Sequence, residues 1–105
     1  MHSTTKELLE VRFLTSGRVT DAEIAAAEEA LHSALTGVSG QIGSASLTLS
    51  VVADETLPRP ALAQAVVAID GRRLRAQAAA PTLPEAIGLL RDRLAVRASS
   101  FRQAG

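Results

Sequence analysis

Ala63-Gln64-Ala65-Val66-Val67-Ala68-Ile69-Asp70-Gly71-Arg72-Arg73-Leu74-Arg75-Ala76-Gln77-Ala78 reads as a β-hairpin. Asp-Gly between two alternating apolar runs is the strongest short-range signal for one. With Asp70 and Gly71 as the two turn residues, Ile69 faces Arg72 and every later pair follows. Val67 then stands opposite Leu74, Ala65 opposite Ala76, and Gln64 opposite Gln77. Side chains alternate across a strand, so Ala65, Val67, Ile69, Leu74 and Ala76 share one face. Arg73, Arg75 and Gln77 project from the other. The apolar face suits packing against helices, and the arginine face suits a polyanion.

Working outward from the hairpin, Ser46-Leu47-Thr48-Leu49-Ser50-Val51 alternates strictly and predicts a strand with Leu47, Leu49 and Val51 inward. Asp54 to Pro60 holds two prolines and two acids and reads as a loop. Val11-Arg12-Phe13-Leu14-Thr15 is a short strand, ended by Ser16-Gly17. Thr20 and Glu23 form a capping box, and a helix follows with Ile24, Ala27, Leu31, Ala34 and Leu35 on one face. Gly37 is placed to stop it. Gly37 to Gly43 reads as a plain loop, because no phosphate-loop Gly-Lys-Ser/Thr follows. A second capping box, Thr82 with Glu85, opens a second helix, with Pro84 tolerated in its first turn. Its core stripe is Leu83, Ile87, Leu90, Leu94, Ala98 and Phe101. Arg93 and Arg97 lie on one flank, Arg91 and Arg102 on the other. The expected fold is α+β in the order β-α-β-β-β-α: a four-stranded sheet with two helices on one face, like a double-stranded-RNA-binding domain.

Composition sets bounds. The 105 residues make one modest domain, 47% hydrophobic but only 2% aromatic, so alanine fills much of the core. The expected division is a flexible N-terminal segment over residues 1–9 and a single domain over residues 10–103. There is no cysteine, which excludes a disulfide framework and a thiolate metal site. No run spans a bilayer and the N-terminus is too polar for a signal peptide, so the expected location is cytoplasmic, with no membrane partner.

The formal net charge of zero hides two unlike halves. Up to Leu57 there are three bases and eight acids, a net of −5; from Pro58 on there are eight bases and three acids, a net of +5. Every base of the second half is arginine, whose planar fork holds a phosphate with two bonds. Catalytic machinery is not visible. His2 and His32 have no partner in sequence, no Ser sits in a Gly-x-Ser-x-Gly elbow, and Asp54-Glu55 read as a solvated turn. No metal-ligand spacing occurs. The expectation is a binding module without cofactor or metal, not an enzyme.

Element order, the hairpin and the helix start Pro84-Glu85-Ala86-Ile87 together resemble the ribosome hibernation-promoting factor family. It is also called ribosome-associated inhibitor or sigma modulation protein. The likeness runs over about residues 10 to 101, is to the short form, and is greatest to the actinobacterial branch. Gly17-Arg18 after the first strand is similar to the family's first turn. The resemblance implies docking in the decoding region of the small ribosomal subunit, contact with rRNA, and silencing of translation under stress. It places RNA binding on Arg73 and Arg75 of the hairpin and on Arg91, Arg93 and Arg97 of the second helix. Two departures stand out. Typical members are clearly basic, and their second helix is denser in Lys and Arg; here Ala95, Val96, Ala98, Ser99 and Ser100 interrupt the charge. Neutral net charge weakens phosphate-driven affinity. Long members continue into a dimer-forming domain; none follows before Gly105, so ribosome pairing by that route is not expected. A second reading is an interaction module that has lost ribosome binding and forms a homodimer through the exposed sheet face, where Val66 and Ala68 lie beside the arginines.

Overall fold

The computed structural model describes residues 11–101. The elements are β1 (Val11–Ser16), α1 (Asp21–Leu35), β2 (Ile42–Val51), β3 (Ala61–Ile69), β4 (Arg72–Ala80) and α2 (Leu83–Ala98), with a 3-10 turn over Ser99–Phe101. The expected N-terminal segment and Arg102 lie outside the described residues, as does the side chain of Phe101.

The sheet order is β1-β2-β3-β4, with β1 parallel to β2 and the other pairs antiparallel. The hairpin has the expected register: Ile69 pairs with Arg72, Val67 with Leu74, Ala65 with Ala76 and Gln64 with Gln77. Asp70 (φ 52°) and Gly71 (φ 80°) both take left-handed backbone, as a type I′ turn demands. Asp70 also anchors the incoming chain. Its Oδ1 accepts from the Gln41 amide at 2.9 Å, and its own amide donates to the Gln41 carbonyl at 2.9 Å.

Three expectations need adjusting. β2 starts at Ile42, four residues before Ser46, so the last two residues of the Gly-rich connection, Ile42 and Gly43, lie in the sheet. Ile42 pairs with Ile69 and Ser44 with Ala68, leaving Gly43 as the extra residue of a bulge. Burying Ile42 against the core outweighs the glycine's poor strand propensity. The hairpin strands are also longer than the alternation suggested, running through Ala61 and Ala80, because alanines continue the inward file. The second capping box is half formed. Thr82 Oγ1 accepts from the Glu85 amide at 3.4 Å, but the Glu85 carboxylate takes the Thr82 hydroxyl at 2.9 Å rather than its amide. At α1 the box closes in full: Thr20 Oγ1 accepts from the Glu23 amide at 3.1 Å and Glu23 Oε1 from the Thr20 amide at 2.9 Å.

Both helices cover one face of the sheet. Leu31 and Leu35 of α1 and Leu83, Ile87, Leu90 and Leu94 of α2 are buried with Leu47, Leu49, Val67 and Ile69 of the strands. Alanines at 61, 63, 65, 76, 78 and 80 bring the helices close to the strands. No polar or charged side chain among the described residues is buried, so this core is held by dispersion and water exclusion alone. Gly17 (φ 81°) passes so close to β2 that a Cβ there would collide with the Val51 carbonyl oxygen.

Candidate nucleic-acid interface

α2 lies along β4, and between them runs an open groove of about 850 Å³. Arg75 and Gln77 line it from the strand, Arg93 and Arg97 from the helix. The helix pattern explains the placement. Leu90, Leu94 and Ala98 are buried, which turns Arg93 and Arg97, four residues apart, toward β4. Arg93 Nη1 donates to the Gln77 carbonyl at 2.9 Å. That bond satisfies an outward carbonyl of the terminal strand and holds the guanidinium against the sheet edge. The guanidinium groups of Arg75 and Arg97 have no hydrogen bond or ion pair among the described residues.

The structure thus brings Arg75, Arg93 and Arg97 around one groove. Arg73 lies next along β4, on the helix-free side of the sheet with Arg75. Arg91 stands outside the groove and pairs with Asp92 at 3.1 Å, an exposed bridge of small energetic weight. Asp92 is the one carboxylate that lines the groove, so the groove keeps an excess of positive charge.

Sequence reasoning missed three residues here. Leu89 and Val96 sit off the core stripe of α2 and are 41% and 73% exposed, forming an apolar flank in the groove. The third is Arg12, which projects from β1 on the helix-free face, opposite Ser46. Its distance from the hairpin in sequence hides a shared surface that only the strand order reveals. Among the described residues there is no cluster of three or more His, Asp or Glu that could hold a metal ion. No described helix is long and apolar enough to cross a membrane.

Solved structures share this architecture. The N-terminal domain of Protein Y from Thermus thermophilus superposes with a TM-score of 0.70 at 24% identity, over 89% of this chain and 99% of that one. The chain has the fold of that domain. A ribosomal subunit interface protein from Coxiella burnetii superposes with a TM-score of 0.66 at 17% identity, over 88% of this chain and 96% of that one. No protein-family model and no curated protein sequence matches the chain. With the Protein Y domain, the likeness lies in the element order and the mixed sheet, and it establishes the fold.

Proposed function

We propose that this protein is a ribosome-associated factor that binds rRNA of the small subunit in the decoding region and silences translation. The observation that carries the reading is the convergence of Arg75, Arg93 and Arg97 on one groove, with Arg73 adjoining. Guanidinium forks on rigid elements fit phosphate oxygens, and those of Arg75 and Arg97 have no partner among the described residues. The fold shared with the Protein Y domain and the resemblance of the hairpin and helix start support the same reading. So does the name of the Coxiella burnetii neighbour, a ribosomal subunit interface protein. Binding is by backbone phosphates and RNA shape, because the one aromatic side chain among those described, Phe13, packs against the core and is not offered for base stacking.

Neutral net charge makes the affinity modest and the local arrangement decisive. The alternative, a homodimer through the exposed sheet face, would set the arginines of one copy against those of the other with no carboxylate in any strand to pair them. Cosedimentation with purified small subunits tests the proposal. The expected result is comigration at low salt that weakens as salt rises. Absence from the subunit fractions at both low and moderate salt overturns it.

A further inference from the structure

The charge asymmetry of the sequence has a spatial form. No Asp or Glu stands in any of the four strands. Among the described residues the acids lie on α1, in the loops and turns, and on α2. Three strand arginines, Arg12, Arg73 and Arg75, project from the face that none of the described helices covers. None of the three guanidinium groups has a hydrogen bond or ion pair among the described residues.

The register places them. Arg12 pairs with Ser46, Ser46 with Val66, and Val66 with Arg75, so one row crosses the whole sheet. The adjoining row runs Ser44, Ala68, Arg73. At ~4.8 Å between strands, Arg12 and Arg75 stand about 14 Å apart, and at ~3.4 Å per residue Arg73 and Arg75 stand about 7 Å apart. Between them is a shallow depression of about 770 Å³. Its floor is made of Ser44, Ser46, Val66 and Ala68; beyond it Thr48 and Ser50 continue the hydroxyl file along β2, alternating with the buried Ala45, Leu47 and Leu49. Gln64 and Gln77, paired across the hairpin, extend it.

We infer that this bare sheet face is a second phosphate-binding surface that takes double-stranded RNA, with Arg12 as its outlying anchor. The inference deepens the RNA-binding reading above and rests on it for the identity of the polyanion. Three features favour a duplex. Cations at the two margins, about 14 Å apart by strand spacing, can grip two separate backbones. The hydroxyl and amide floor can exchange hydrogen bonds with ribose 2′-hydroxyls, the groups a wide, shallow RNA minor groove presents. Among the described side chains no aromatic ring stands on this face, Phe13 packing against the core instead, so a single strand gains no stacking platform there. Arg75 lines both the depression and the groove beside α2, so the two surfaces are continuous.

The test is a fluorescence titration of the full chain with a short RNA duplex, the matching single strand, and inorganic polyphosphate at equal phosphate concentration. Arg12→Ala is compared with wild type and with the Arg93→Glu/Arg97→Glu variant, each first checked for an unchanged melting transition. The expected result is duplex binding tighter than to either competitor. Arg12→Ala should weaken it roughly tenfold, as for one charged contact, and lower the salt slope by about one. Equal affinity and slope for Arg12→Ala and wild type overturn the sheet-face site while leaving the groove reading intact. Single-strand or polyphosphate binding as tight as duplex overturns the choice of ligand. Loss of ribosome cosedimentation alongside Arg12-dependent duplex binding sinks the ribosome reading and keeps the sheet-face site.

Discussion

The two faces of one sheet divide the work of this molecule. The helix-packed face is alanine, leucine, valine and isoleucine, with no polar side chain buried among the described residues. The bare face is arginine, serine, threonine and glutamine, with half-buried Leu62, Val66 and Ala68 and exposed Leu14 and Ala79 between them. The same strands supply both, one residue apart. Stability therefore resides in one parity of each strand and recognition in the other, and neighbouring positions should respond to the same substitution in opposite ways.

Val67 and Val66 make the sharpest pair. Val67 is fully buried and Val66 half-buried. Val67→Asp puts an unpaired carboxylate into an apolar core and should cost more than about 4 kcal/mol, abolishing the cooperative thermal transition. Val66→Asp should keep that transition within about 1 kcal/mol of wild type, yet sharply weaken RNA binding, because it sets a carboxylate opposite Arg75. Circular dichroism melts and RNA titrations of both variants decide this. A folded Val67→Asp would break the division of labour.

The next effect is steric. Ala65→Leu forces a larger side chain into the seam under α2 and should destabilise by about 1–3 kcal/mol, read as a lower denaturation midpoint. Gln64→Leu, one residue earlier on the bare face, should leave the midpoint nearly unmoved.

Smaller still are the groove arginines. Arg97→Glu should change stability by about 0.5 kcal/mol or less, since it breaks no internal bond. Arg93→Glu should cost about 1 kcal/mol by releasing the Gln77 carbonyl. Both should reduce RNA binding and flatten its salt dependence. Equal melting midpoints for the two variants would show that the Arg93 bond to the strand edge carries no weight.

The smallest effect lies outside both faces. The Thr56 hydroxyl, and then its amide, hold the Asp54 carboxyl below its ordinary 3.8. A depressed folded pKa gives a contribution present above that ordinary value and lost as pH falls through the lower one. Thr56→Val should raise the Asp54 pKa toward 3.8, measured by NMR titration, with RNA binding at neutral pH unaltered.

What was legible followed from local chemistry. A two-residue Asp70-Gly71 turn sets every pair of the hairpin, because its backbone admits one register. The Thr20 box and the 3.6-residue spacing of Leu90, Leu94 and Ala98 likewise carry their own geometry. The candidate site was legible in pieces. Arg93 and Arg97 could be put on one flank of a helix, and Arg73 and Arg75 on one face of a strand. That α2 lies along β4 and unites Arg75 with Arg93 is a matter of packing between distant elements. Arg12 was hidden for the same reason: nothing local says that β1 joins the sheet beside β2. The longer β2 escaped because Gly40 and Gly43 look like loop, whereas burial of Ile42 draws the chain into the ladder.

The separation of acids from the strands has one more consequence. A molecule whose charges cancel in number but not in position behaves as an electric dipole, with the bare sheet at its positive pole and the acidic residues of α1 on the helix layer opposite. A neutral body gains little pull from a distant polyanion, but a dipole is turned by the field as it approaches. Such a protein meets its target already oriented, sheet first, and collides unproductively less often. Added salt then erodes the alignment of encounters as well as the strength of contact.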